Sequence, residues 1–509
     1  MSILEPRQNW SILPASQTAG LLEQKVLIVG QMLASGTATA GDLIQNHPND
    51  GSESTLFGKR SQIAGMVREF KKINGATQLD IIPLSDATAA TEGTAVITIT
   101  GTATEDGNIY VSIGSENNHT KKIDILTDDT ADEIGDAIET AFTADVYAPF
   151  TVSNSSGVVT ATAENAGSLS NDWPLKVSGN VAGITITLTG WSGGATDPTL
   201  TNVLDSIANI RYRTIIWPSV YSLDVPETLL NSRFNEEYKI MDGVVIQTKI
   251  GTLATLKSYT NQNSQSVCVI GNKTVSESDR IGGAIIEMSD IISSEIGAFR
   301  ALKVEDNKSL TQYLSTVAFR DQSGSMELSS LPYFNTLMPN LSVPDQRDGF
   351  TMEEQIELTN NGVSLLGANR AFNGVILGQI VSTYLTNSAG NPDDSYKYLE
   401  IIDTASAIRE YFYENFRSRY AQTRLTDGDL IAGRDMANEG SIRAFCNLLY
   451  DNLALSTLVQ LGSEAKKDYN DNLVIDADVR TGTVTVAMAP ILVSQMRAVL
   501  GTIRINFGN

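Results

Sequence analysis

An alternation of apolar strands with an amphipathic helix starts near residue 25, stops abruptly at Ser85 and resumes after residue 200. The run KVLIVG (25–30) has the pattern of a buried strand ending at Gly30. SQIAGMVREFKKI (61–73) sets Ile63, Met66, Val67 and Phe70 at i, i+3, i+4 and i+7, one face of a helix, and LDIIPL (79–84) is a second strand. RTIIWPS (213–219), DGVVIQT (242–248) and SVCVIGN (266–272) resume the strands between helical stretches. Between these two blocks Thr, Ala, Gly and Ser dominate. Short alternating runs appear there at 94–104, 108–113, 157–163 and 183–190, which read as strands with one solvated face. The order predicts a mostly β domain inserted into an α/β domain.

The insert carries one helix, TADEIGDAIETAF (130–142), opened by Thr130 and Glu133 in capping-box spacing, with Ile134, Ala137, Ile138 and Ala141 on one face. Residues 85–200 hold 3 Lys and Arg against 16 Asp and Glu, more than half of the chain's net charge of −23. From about 346 the pattern is α+β. A helix over about 404–424 repeats Ile408, Phe412, Phe416 and Tyr420 every four residues, and one over about 439–461 presents Ile442, Phe445, Cys446, Leu449 and Leu453. TVTVA (483–487) and TIRINFG (502–508) return to strand alternation. At 509 residues and 41 % hydrophobic composition, the chain suits about three domains with real cores.

Charge and residue supply narrow the function. A net −23 opposes contact with a phosphate backbone or an anionic membrane leaflet, so neither nucleic acid nor membrane is an expected partner. Glu5 and Arg7 interrupt the N-terminal stretch where a signal peptide needs an apolar core, which predicts a chain that acts where it is made. Cys268 and Cys446 lie in apolar stretches and suit buried hydrophobes rather than a disulfide or thiolate site. His47, in a Pro-containing turn, and His119, in a polar loop, read as surface residues, and no HExxH, CxxC or GxSxG pattern occurs. VLIVGQMLASGT pairs Gly30 with Gly36, but Thr37 stands where a phosphate loop needs lysine and the glycine spacing is one residue too long. Asp468, Asn470 and Asn472 have calcium-loop spacing, yet Leu473 replaces the turn glycine and Val479 the bidentate glutamate. Carboxylate pairs such as Asp128 with Asp129, Asp132 with Glu133 and Asp393 with Asp394 read as solvated faces in so acidic a chain. No catalytic, cofactor or metal residue emerges, and the chain reads as a non-enzyme.

What remains is interaction. The segment with Trp10, Ile12 and Leu13, and the terminal strand with Ile503, Ile505 and Phe507, could each pair within the subunit or add to a neighbour's sheet edge. Arg409, Arg417, Arg419 and Arg424 outnumber Glu410 and Glu414 along the 404–424 helix. Arg417 and Arg424, seven apart, would share a face that meets solvent or an acidic partner.

Long ordered stretches then resemble a known family. QKVLIVGQMLASGTATAG near the N-terminus, TGTATEDGNIYVSIG, VTATAENAGSLSNDWPL and GGATDPTL in the insert, and NRAFNGVILGQIVSTYLTNSAGNPDDSYKYLEIIDTASAIREYF with NLVIDADVRTGTVTVAMAPILVSQMRAVLGTIRINF further on resemble the tail sheath proteins of Mu-like contractile-tailed bacteriophages. The resemblance implies a structural subunit that polymerises as a helical sleeve around a tail tube and contracts, without nucleotide hydrolysis, to drive the tube through the host envelope. It implies that arms around Trp10 to Leu13 and Ile503 to Phe507 join sheets of adjacent subunits, and that a helix faces the tube, a role carried onto Arg409, Arg417, Arg419 and Arg424 or else onto the 439–461 helix. Implied partners are further copies of the chain, the tube protein, and baseplate and terminator or neck proteins. The implied location is the virion tail, assembled in the host bacterial cytoplasm.

The expected fold is a mixed α/β, multidomain one. It comprises an N-terminal arm (1–22), an α/β sheath domain in two parts (23–84 and 200–345), an acidic β-rich outer insert (85–199), a C-terminal α+β core domain (346–496) and a C-terminal arm strand (497–509). A contractile particle without a genome would use the same subunit. The reading from a different class is a secreted or surface β-rich binding protein of adhesin type, suggested by the Thr- and Gly-rich insert.

Overall fold

A computed structural model describes residues 24–200, 203–235, 240–260, 263–316, 333–345, 347–369, 373–456 and 458–494. The chain is mixed α/β, and two compact units divide it at Asp403/Thr404, with Gln24–Ser309 and Ser329–Asp403 in one. That larger unit is built on parallel strands in the order Gln78–Leu84, Lys25–Gln31, Thr214–Ile216, Val244–Gly251, Val267–Ser276 and Val363–Ala368. Both faces of this sheet are covered, which is why its strands are apolar runs rather than alternations. Val26 and Ile28 pack on one side with Ile63, Met66, Val67 and Phe70 of helix Gln62–Ile73 and with Ala298 of helix Ser289–Thr316. Leu27 and Val29 pack on the other side with Tyr212, Trp217, Leu223 and Leu230. Ser61 caps helix Gln62–Ile73 by accepting from the Ala64 N–H, so it begins at the position its apolar spacing requires.

The segment after Leu84 folds as two antiparallel sheets and a helix around one core. One sheet runs Phe150–Ser155, Val158–Ala163, Thr94–Gly101, Ile184–Ser192; the other runs Leu175–Ser178, Gly107–Ile113, Thr120–Ile125. Ile97 and Ile99 from the first and Ile109 and Val111 from the second meet Ile134, Ile138 and Phe142 of helix Ala131–Thr143. Thr130 and Glu133 form the reciprocal capping box that the sequence shows. Trp173 and Trp191 stack edge to face at 5.0 Å in the same core. Strands Thr120–Ile125, Phe150–Ser155 and Leu175–Ser178 carry too weak or too short an alternation to be read from sequence.

Strand pairing crosses two of the expected domain boundaries. The β-rich segment is continuous with the rest, because Leu175–Ser178 pairs with Arg280–Gly283, which in turn pairs with Val267–Ser276. The boundary at 345/346 falls inside the sheet: Val363–Ala368 pairs with Val267–Ser276, and Val375, Leu377, Ile380, Leu399 and Ile402 share a core with Val244, Ile246, Cys268 and Ile270. Val375 to Ile402 thus find their apolar partners on the α/β sheet.

In the smaller unit, Ile408, Tyr411 and Phe412 pack against Ile442, Cys446, Leu449, Tyr450 and Leu453 of helix Glu439–Leu455, with Tyr469, Leu473 and Ile475 closing the cluster. Phe416 and Tyr420 meet Phe445 at 5.6 and 5.4 Å, so the four-residue stripe is a core face. Asn438 caps the second helix with Ser441. No described helix is long and apolar enough to cross a membrane.

Candidate functional site

The parallel order of the first five strands puts Lys25–Gln31 beside Thr214–Ile216 with Gln78–Leu84 outside them, so the strand order reverses there. Open α/β sheets bind ligands in the crevice beyond the strand C-termini at such a reversal. Here protein fills it. Gln31, fully buried, donates through Nε2 to Asp86 Oδ1 (2.6 Å) and to the Ala166 carbonyl (2.7 Å), and its Oε1 accepts from Tyr221 OH (3.1 Å). Asn165 donates to Asp86 Oδ1 (3.0 Å) and the Met32 carbonyl (3.2 Å) and accepts from the Gln62 N–H (2.8 Å). The β-rich segment is thus rooted by Asp86, Asn165 and Ala166 in the place a cofactor would take.

The loop after Gly30 is equally committed. Leu33, Thr37 and Ala38 donate their N–H groups to the Phe57, Thr55 and Leu56 carbonyls, so these amides do not face an anion. A Cβ at Gly36 would stand 2.5 Å from the Leu56 carbonyl oxygen, which explains this glycine as close backbone packing.

Both histidines are buried, contrary to the surface reading. His47 stacks on Phe57 with centroids 5.9 Å apart, its backbone N–H donates to the Leu79 carbonyl, and burial pushes the ring pKa down. His119 Nδ1 lies 3.1 Å from Asp145 Oδ2, and its ring meets Phe150 edge on. Tertiary packing covers each loop, and the local polarity of the sequence does not report that. Cys268 and Cys446 are free and buried, with burial pushing both thiols up to about 11. Asp468, Asn470 and Asn472 belong to helix Ser463–Asn472 rather than a loop. Among the described residues no group of three His, Cys, Asp or Glu could hold a metal ion.

The interaction candidates separate. Trp10, Ile12, Leu13, Ile503, Ile505 and Phe507 lie outside the described residues. Helix Leu399–Tyr420 ends before Arg424, which starts the short strand Arg424–Leu425 paired with Met436–Ala437, so the seven-residue spacing from Arg417 is not a helical one. Arg409 is half-buried. Arg417, Arg419 and Arg424 are exposed, with Arg417 Nη1 3.9 Å from Glu414.

Strands Val474–Asp478 and Thr483–Ala487 form an antiparallel hairpin with no third described strand on either edge. Ile475 faces the core while Val474 is 58 % exposed, and Leu448, Leu455, Leu461, Ile491 and Val493 are also exposed in this unit. Among the described residues both edges of this two-stranded sheet are unpaired, and unpaired edges are where sheets can take on further strands.

No family model matches the chain. The Mu-like prophage FluMu tail sheath protein of Haemophilus influenzae is 26 % identical over 464 residues, covering 89 % of this chain and 87 % of that protein. Among solved structures, the sheath tail protein of Desulfitobacterium hafniense is 12 % identical across 95 % of this chain and 100 % of its own, with a TM-score of 0.47. A chain of the anti-feeding prophage helical sheath in its contracted state is 10 % identical across 99 % of both, with a TM-score of 0.46. Neither TM-score reaches 0.5, so the assignment rests on the sequence similarity. The chain is similar in sequence to a Mu-like prophage tail sheath protein, in keeping with the resemblance carried by its own N-terminal, β-rich and C-terminal segments.

Proposed function

We propose that this chain is the structural subunit of a contractile tail sheath, which polymerises as a helical sleeve around a tail tube and shortens to drive the tube through a host envelope. The observation that carries the reading is the similarity to a tail sheath protein along nearly nine-tenths of both chains. The filled crevice at the strand reversal and the committed loop after Gly30 agree with a chain that assembles rather than turns over a substrate.

In this reading the arms around Trp10 to Leu13 and Ile503 to Phe507 add strands to the open edges of the Val474–Asp478 and Thr483–Ala487 hairpin of neighbouring subunits. Residues 404–494 form the assembly core, the acidic segment 85–199 projects outward, and Arg417 and Arg419 face the tube. Baseplate and terminator proteins close the two ends, and assembly takes place in the host cytoplasm. Contraction then needs only rigid subunits turning about paired arm strands. A gain of about 1 kcal/mol per subunit, summed along a cooperative polymer, suffices to make it one-way.

Negative-stain electron microscopy of the purified full chain beside a chain lacking residues 497–509 tests this. Rings or sleeves from the full chain and monomers from the truncated one are the expected result. A full chain that stays monomeric even with tube protein added would overturn the reading.

A further inference from the structure

We propose that Glu69, Glu287 and Glu295 form a proton-dependent latch that holds the 114–119 loop of the β-rich segment against the α/β body. The three carboxyls come from helix Gln62–Ile73, from the turn after strand Arg280–Gly283, and from helix Ser289–Thr316. Their exposures are 2 %, 0 % and 0 %, and Glu69 Oε1, Glu287 Oε2 and Glu295 Oε2 are each buried with no hydrogen-bond partner among the described residues.

The loop is tied to all three. Ser115 bridges Glu287 as in an antiparallel ladder, the Asn117 N–H donates to Glu287 Oε1 (3.1 Å), and Asn117 Nδ2 donates to the Asn340 carbonyl (2.6 Å). The Asn340 N–H in turn donates to Glu295 Oε1 (3.3 Å). Lys72 Nζ lies 2.8 Å from Glu69 Oε2 and donates to Asn118 Oδ1 (3.2 Å).

The charges around the cluster do not balance it. Lys72 is its one close cation among the described residues, and its side chain is 47 % exposed. Arg68, on the same helix, turns to the Tyr147 ring and to Glu53. From the β-rich segment, Glu116 pairs with Lys176 at 2.6 Å, and Asp145 takes both His119 and Lys121. On the helix that carries Glu295, Asp290 is held by Gln62 and the Ser219 N–H. Three buried carboxylates cannot all stay ionised beside one half-solvated ammonium. Burial, reinforced by the neighbouring Glu69, pushes Glu287 and Glu295 up to about 8.

Below that pH two carboxyls are neutral, Glu69 pairs with Lys72, and the loop hydrogen bonds stand. Above it Glu287 and Glu295 take on charge inside a buried cluster beside the Glu69–Lys72 contact, and the water that relieves this separates loop from helix. The folded pKa exceeds the unfolded one, so folding takes up protons. The stabilisation is present at low pH and is lost as pH rises from about 4.5 through 8.

Hydrogen exchange read by mass spectrometry on the full chain at pH 6 and pH 9, corrected for intrinsic rates, tests the latch. Protection over 114–119 is expected to fall at least about tenfold in the wild type and to stay level in a Glu287→Gln, Glu295→Gln double variant. Equal protection at both pH values in the wild type, or an unchanged fall in the double variant, would overturn it. Should the double variant not fold, Glu295→Gln alone is compared with wild type by the pH slope of the urea midpoint over the same range. A shallower slope supports the latch, and an unaltered one rejects it.

Discussion

Gln62 donates its side-chain amide to Asp290 Oδ2 at 2.7 Å, a contact between residues 228 positions apart. Gln62 Oε1 also accepts the Gln31 N–H (2.7 Å), its own N–H donates to Asn165, and Asp290 Oδ1 accepts the Ser219 N–H (2.8 Å). One glutamine therefore ties strand Lys25–Gln31, the β-rich segment and two helices together. Burial raises the Asp290 pKa, so each bond it accepts matters.

Replacing Gln62 by leucine keeps the volume and removes both side-chain polar groups, leaving the Gln31 N–H and one Asp290 oxygen without their partners. A loss of about 3 kcal/mol is expected from two unsatisfied buried groups. The urea midpoint of the full chain measures it, and a loss below about 1 kcal/mol would show that water replaces the glutamine.

Asp403 should be costlier. Its Oδ1 takes Arg213 (2.8 Å) and Arg300 (2.5 Å), and its Oδ2 takes Tyr333 OH (2.6 Å), all from buried side chains. Asp403→Ala leaves two guanidinium groups without this carboxylate, and about 3 to 5 kcal/mol is expected. Thermal unfolding of Asp403→Ala and Asp403→Asn separates charge from shape: asparagine should recover part of the loss.

Gly36 and Gly41 make a paired test of two reasons for glycine. A Cβ at Gly36 meets the Leu56 carbonyl oxygen at 2.5 Å and the Phe57 carbonyl carbon at 2.7 Å, both backbone, so Gly36→Ala must move helix Glu53–Phe57 and is expected to cost about 2 kcal/mol. At Gly41 nothing lies within 4 Å and only the φ of +87° penalises alanine, so about 1 kcal/mol is expected. Equal unfolding midpoints would refute the steric account of Gly36.

These contacts show where sequence reading stops. Ile63 to Phe70, the Thr130–Glu133 cap and the Ile408 to Tyr420 stripe are short-range patterns, and each element forms as its spacing requires. Gln31, Gln62, Asn165 and Asp290 carry no local signal, because the order of the strands brings them together. The same holds for Glu69, Glu287 and Glu295: the eye falls on adjacent pairs such as Asp132 and Glu133, which are exposed, while the buried carboxyls stand alone in sequence. His47 and His119 are covered by Phe57 and Phe150, neighbours that a polar loop does not announce.

Asp145 should govern part of the acid limb of stability. Burial alone would raise its pKa, but hydrogen bonds and charge from His119 and Lys121 outweigh that and hold it well below the usual carboxylate range. With the folded pKa depressed, the contribution is present above pH 4 and is lost as pH falls through the folded value. Asp145→Asn should lower the urea midpoint at pH 6 and leave it closer to wild type near pH 2. An equal deficit at both would mean that Asp145 acts through shape alone.

The exposed arginines give the sharpest test of the tube-facing assignment. Arg417 is 65 % exposed and among the described residues its one ion pair is with Glu414, at 3.9 Å, so Arg417→Glu should leave the unfolding midpoint unchanged. If this face meets an acidic tube, the reversal together with Arg419→Glu should weaken co-sedimentation with tube protein by at least about tenfold. The loss should be largest at low salt, because added salt already screens the wild-type attraction. Arg424→Glu, beyond the helix end, serves as the comparison. If it alone abolishes binding while the helix reversals do not, the contact lies on the Arg424–Leu425 strand and the helix faces elsewhere.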